Sequence, residues 1–436
     1  MKISEIRALE VLDSRGYPTV GARVRLEDGT TASALVPSGA SKGEREAVEL
    51  RDGDPTRYEG RGVTRAIANI RGEINDALRG LDVTDQEVLD RRLIELDGTP
   101  NKARLGSNAI LGVSMAAARA GAYSLGLPLY KYLGSYLGKK NVNILPVPCL
   151  NVINGGRHAD NTVDFQEFQI APFNAPSFAE AIRMGVETFH ALKQLLRDSH
   201  KATGVGDEGG FAPDLGMNRD ALEFILRAIE KAGYRPGEDI ALCLDPATSE
   251  LWETSDYVFF KSDRRRKSTD QMIELWEEWV EKYPIVLIED PLAENDWDGW
   301  KRLTARLGDR IELVGDDIFC TNPQILARAI ERGVGNSILI KLNQIGTVSE
   351  TLACVRLAQS VGYATYVSHR SGDTEDTFIA DLAVATGCGH IKTGSACRGE
   401  RIGKFNRLLK IEYDLDKNAQ FAGLTGFRQS MLTAAT

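Results

Sequence analysis

The chain has 436 residues, 42% of them hydrophobic and 26% charged, with a net charge of −9. It is too long for one ordinary domain of roughly 100–200 residues and too apolar to be mainly disordered. The acidic balance excludes nucleic acid as the main partner, and no uncharged apolar stretch approaches the roughly 20 residues that a bilayer needs.

The opening MKISEIRALEVLDSRG lacks the apolar segment of a secretory signal. The six cysteines are scattered without a CxxC pair and several sit in apolar runs, so a reducing cytoplasm is expected. An acidic protein can still bind a small anion if its carboxylates first collect divalent cations, which invert the local charge.

In chain order, alternating apolar and polar residues predict strands at Ile3–Leu12, Thr19–Leu26 and Thr31–Leu35, with Asp28-Gly29 as the hairpin turn before the last. Pro37-Ser38-Gly39-Ala40-Ser41-Lys42-Gly43 follows, a small, hydroxyl-rich segment suited either to a mobile lid over an anion or to a plain turn. It lacks the spacing of a Walker A loop. Helical stretches at Gly62–Leu78 and Ser107–Leu125 complete an α+β domain over residues 1–135.

From about residue 142 to 436, short β-branched runs alternate with amphipathic segments such as Thr269–Lys282, Pro323–Arg332 and Val348–Val361. That alternation predicts a parallel sheet, and its repetition favours a closed βα barrel, whose functional groups gather at the carboxyl ends of the strands. Those ends carry Asp245, Glu289, Asp316, Lys341, His369, Arg370 and Lys392.

Three carboxylates converging from adjacent strands would repel one another unless a cation sits between them, and a set of hard oxygen donors favours Mg²⁺ over zinc. The alternative is a set of ordinary strand-end acids, some paired with lysines. Lys341 and Lys392 suit either a general base of lowered pKa or a fixed positive charge. Val205–Gly210 is a tight loop bearing Asp207 and Glu208, and Gln166-Glu167 is a second acidic position; paired acids suit general-acid work. His369-Arg370-Ser371-Gly372 offers donors to phosphate or carboxylate oxygens, or a salt bridge on a turn. His158 lies in a similar glycine-rich loop, while His190, His200 and His390 read as structural.

Together these segments resemble enolase over essentially the whole chain. The matching stretches begin with Asp13-Ser14-Arg15-Gly16, Pro37–Ser41, Glu49–Asp54 and Leu105–Ser114. They continue through Asn154–Asp160, Gly206–Gly210, Asn343–Thr347, Ser368–Gly372 and Lys392-Thr393-Gly394. The resemblance implies a small N-terminal α+β domain, a modified eight-stranded barrel, and a homodimer or larger homo-oligomer. It implies that Asp245, Glu289 and Asp316 hold one Mg²⁺ and that Ser41 helps complete a second. Lys341 would remove the C2 proton of 2-phosphoglycerate, and Glu208, aided by Glu167, would protonate the leaving C3 hydroxyl. Arg370 and Ser371 would hold phosphate and Lys392 the carboxylate, with His158, Gln166 and His369 lining the site.

Six positions depart from the family pattern: Tyr17, Lys42, Pro246, Thr248, Asp373 and Gly399. Lys42 would lie near the substrate's phosphorus group, which opens an alternative: a paralogue that dehydrates a carboxyphosphonate analogue in phosphonate biosynthesis. A non-catalytic binding protein is the third reading, against which stand the intact Lys341, Glu208 and metal carboxylates.

Overall fold

A computed structural model describes residues 1–40 and 43–427. The N-terminal strands β1 (Ile3–Leu12), β2 (Pro18–Leu26) and β3 (Thr31–Leu35) form an antiparallel meander in that order. The helix Ser107–Ser124 lies across it, and its small residues let it approach closely: a Cβ on Gly112 would stand 3.2 Å from Ala22.

The helix expected from Gly62 starts at Thr64, where a remote acid caps it. The Asp52 carboxylate accepts the amides of Thr64 and Arg65 at 2.9 Å each, doing what Val63 cannot. The helix also widens into a π turn at Ile70–Ile74 before ending at Leu78.

Eight further strands close a barrel: β4 (Val147–Asn154), β5 (Glu167–Pro172), β6 (Ile240–Asp245), β7 (Ile285–Glu289), β8 (Glu312–Gly315), β9 (Ser337–Ile340), β10 (Ala364–Ser368) and β11 (His390–Lys392). The strand order is β7-β8-β9-β10-β11-β4-β5-β6, closing back on β7. The helices Thr269–Lys282, Pro323–Arg332 and Val348–Ser360 fall where the amphipathic pattern places them.

The sheet is not wholly parallel, which corrects the sequence expectation. β5 runs antiparallel to both β4 and β6. Residues 155–166 between β4 and β5 hold only a turn of 3₁₀ helix and cannot carry the chain back along the barrel, whereas two helices, Phe178–Asp198 and Asn218–Lys231, separate β5 from β6. The inversion serves the site: the start of β5 is level with the carboxyl ends of its neighbours, so Glu167 pairs in register with Asn154 and Asp245.

The two domains meet through named contacts. Ser38 and Gly372 exchange backbone hydrogen bonds of 2.7 and 2.9 Å, and both terminal nitrogens of Arg119 reach Asp376, at 2.6 and 2.7 Å. Among the described residues no single helix is long and apolar enough to cross a membrane.

Candidate active site

The strand ends turn sharply where they deliver acids. Asp245 and Glu289 close β6 and β7, and Ala247 and Asp290 just beyond them adopt left-handed φ of 48° and 41°. Such conformations cost a non-glycine residue about 1–3 kcal/mol each and persist where the surroundings enforce them. Here the Asp290 carboxylate accepts the amides of Asp316 and Asp317 at 2.9 and 3.0 Å, fixing the chain that carries Asp316.

Asp245 and Glu289 share one cation, Lys392, whose Nζ lies 2.8 Å from each and 3.0 Å from Glu167. Burial would lower the Lys392 pKa, but these carboxylates outweigh it and hold the ammonium well above its ordinary range. Asp316 stands instead on Lys341, 2.5 Å away, and accepts a bond from Gln344 at 2.8 Å. Lys341 is likewise raised, burial being outweighed by Asp316 and Glu289. Burial and the neighbouring Asp245 push Glu289 well above the carboxylate range.

Two groups of donors lie close enough to share one metal ion: Asp290, Asp316 and Asp317, and His158, Glu167 and Glu208, each with ligand atoms within 4.8 Å of one another. Among the described residues, Glu289 Oε1 is buried without a hydrogen-bond partner. An orphaned acceptor among mutually repelling carboxylates is the environment a hard divalent cation satisfies. The residues therefore fit one.

Across the site, Glu208 comes from the loop after the helix Phe178–Asp198, where Gly209 takes a φ of 90° that suits glycine. Asn151 donates to Glu208 Oε2 at 3.1 Å, and His158 Nδ1 lies 3.5 Å from Glu208 and 3.9 Å from Glu167. Burial and the adjacent Glu208 push Glu167 well above its ordinary pKa. Burial of Glu208 is outweighed by His158 and Lys392, which hold it well below. The two carboxyl groups are thus pushed in opposite directions and titrate as one unit.

Arg370, expected as a phosphate ligand, directs its terminal nitrogens to Glu46 at 3.0 Å each and to Asn343 at 2.8 Å. The Ser371 hydroxyl accepts the Ala40 amide at 2.7 Å, tying the 37–40 segment to the 369–372 loop. Ser41 and Lys42 lie outside the described residues. Fourteen expected residues thus divide plainly. Eleven of them (His158, Gln166, Glu167, Glu208, Asp245, Asp316, Lys341, His369, Arg370, Ser371 and Lys392) line one cavity. Glu289 bonds to Lys392 beside it.

Several supporting residues escape a reading of the sequence. Gln169 donates to Glu167 at 3.0 Å and accepts from the Tyr366 hydroxyl at 2.7 Å. Glu46, Asp290 and Arg401 are equally unforeseen; the doubled acids Glu289-Asp290 and Asp316-Asp317 were the one visible signal.

The comparisons with known proteins agree over both domains. A family model described as the enolase N-terminal domain matches residues 3–133, and one described as the enolase C-terminal TIM barrel domain matches residues 142–430. Enolase 1 of Chlorobaculum tepidum is 60% identical over 430 residues, covering 99% of this chain and all of that protein.

Proposed function

The chain belongs to the enolase family, and from that premise we propose that it interconverts 2-phosphoglycerate and phosphoenolpyruvate, with two Mg²⁺ ions per site. It is a carbon–oxygen lyase of the enolase type. The observation that carries the detailed reading is the placement of base and acid. Lys341 follows β9 and Glu167 opens β5, four strands apart in either direction around an eight-stranded ring. A substrate between them has a base on one side and a proton donor on the other, as removal of H and OH from adjacent carbons requires.

In this reading Lys341 takes the C2 proton, and the Glu167–Glu208 unit delivers its proton to the departing C3 hydroxyl. Lys392 faces the substrate carboxylate, while Arg370, Ser371 and the 38–40 backbone meet the phosphate. His158, Gln166 and His369 line the remaining wall. Bound at Asp245, Glu289 and Asp316, with Ser41 on the second ion, Mg²⁺ would neutralise the carboxylates that keep the lysines charged and would stabilise the enolate.

The carboxyphosphonate alternative is not favoured. Three of the six departures have local partners: the Arg61 guanidinium lies 4.0 Å over the Tyr17 ring, Thr248 donates to the Asp290 carbonyl at 2.9 Å, and Asp373 accepts from Lys404 at 2.9 Å. A reducing cytoplasm suits the six unpaired cysteines. The homodimer is carried over from the family resemblance.

The test is kcat/KM for 2-phosphoglycerate and for its carboxyphosphonate analogue, in the wild type and in Lys42→Thr, with Mg²⁺ varied. We expect Mg²⁺-dependent turnover of 2-phosphoglycerate and no preference for the analogue in either protein. A wild-type preference for the analogue of tenfold or more, lost in Lys42→Thr, would establish the alternative instead.

A further inference from the structure

Arg401, on the helix Gly399–Leu415, is among the largest fully buried side chains and contacts no metal-site carboxylate. Its Nη1 donates to His369 Nδ1 at 2.5 Å and to the Arg370 carbonyl at 2.6 Å. Its Nη2 donates to the carbonyls of Ser371 at 2.6 Å and Asp207 at 3.1 Å, and to Ser14 Oγ at 3.3 Å. One guanidinium therefore fastens the 369–371 loop, the loop bearing Glu208 and the N-terminal domain.

The contact with His369 has a chemical consequence. Arginine carries five N–H donors, no acceptor, and does not lose its proton in proteins. A ring nitrogen facing it at 2.5 Å must accept, so Nδ1 is bare. A neutral imidazole then holds its single proton on Nε2. Burial, reinforced by Arg401, pushes the His369 pKa well below its ordinary value, against the pull of Glu208, so the ring stays neutral. His369 Nε2 is buried, has no hydrogen-bond partner among the described residues, and lies 3.6 Å from Glu208 Oε1 at the cavity wall.

We propose that Arg401 is a positioning residue that fixes His369 as the neutral Nε2–H tautomer, so that His369 serves the site as a hydrogen-bond donor and not as a base. The donor faces Glu208 and the oxygen atoms of a bound substrate. It cannot take the proton of the acid unit, which stays available for the leaving hydroxyl. That catalytic consequence rests on the enolase reading; the tautomer does not.

The test is ¹⁵N NMR of the full-length protein labelled at its five histidines, with His369→Gln assigning the resonances. In the wild type at neutral pH, His369 should show a pyridine-type Nδ1 and a pyrrole-type, proton-bearing Nε2. In Arg401→Met the two nitrogens should move toward averaged shifts, and kcat should fall at least tenfold while Mg²⁺ affinity stays within twofold. A wild-type His369 carrying its proton on Nδ1, or on both nitrogens, would overturn the proposal whether or not the variant folds. Loss of 2-phosphoglycerate turnover in the wild type would strike the enolase reading and leave the tautomer assignment intact.

Discussion

Lys392 and Lys341 compensate carboxylates that the sequence already marked as convergent, and both lysines were legible for the same reason. Each ends a β-branched run, where a barrel exposes functional groups. What the sequence withheld is the partner of each group, because pairing is set by three-dimensional proximity. Nothing near Arg401 in the chain names His369, and nothing near Tyr366 names Gln169. A change at Glu289 tests the metal reading: Glu289→Gln preserves size but removes a charge and an acceptor, so Mg²⁺ affinity should fall at least about tenfold, roughly 1.4 kcal/mol. Isothermal titration with Mg²⁺ checks this, and unchanged affinity would remove Glu289 from the ligand set.

His390, read as structural, is indeed buried beneath the site, with Nε2 3.1 Å from Glu312 and its ring between Tyr366 and Phe427. Burial would lower its pKa, but Glu312 outweighs that and raises it. A raised histidine stabilises the fold fully below its unfolded pKa of about 6.5, and the contribution is lost as pH rises through the folded value. Chemical denaturation across pH 6–9 should therefore show the wild type losing stability relative to the His390→Gln/Glu312→Gln double variant as pH rises. A constant difference between the two would contradict the pairing.

At the scale of elements, periodicity located the three N-terminal strands and the barrel helices well, because each buries one face and its apolar residues recur at that element's own period. The direction of β5 was not legible. In a closed barrel this antiparallel strand is buried on both faces just as its neighbours are, and only the missing helix between residues 154 and 167 hinted at reversal. The closure of the barrel near β11 depends on a backbone approach equally invisible in sequence: a Cβ on Gly389 would lie 1.7 Å from the Gly426 carbonyl oxygen. Neither backbone segment can yield as a side-chain tip would. Gly389→Ala should destabilise the protein by about 3 kcal/mol or more, read as a lower urea midpoint. An unchanged midpoint would show that the 426 segment does not pack there.

For the whole molecule, the N-terminal domain completes the site rather than merely covering it. Glu46 holds Arg370, and the 38–40 segment is laced to the 369–372 loop. The barrel supplies both the base and the acid unit from across one ring, and the two steps of the reaction divide between them. The most direct measurement is solvent exchange of the C2 proton of 2-phosphoglycerate, followed beside product formation in Lys341→Ala and Glu208→Gln with Mg²⁺ present. Lys341→Ala should lose exchange and turnover together, by about 10²–10⁴-fold. Glu208→Gln should lose turnover by a similar factor yet continue to exchange the proton. Near-wild-type exchange in Lys341→Ala would contradict the assignment of the base and, with it, the account of the site.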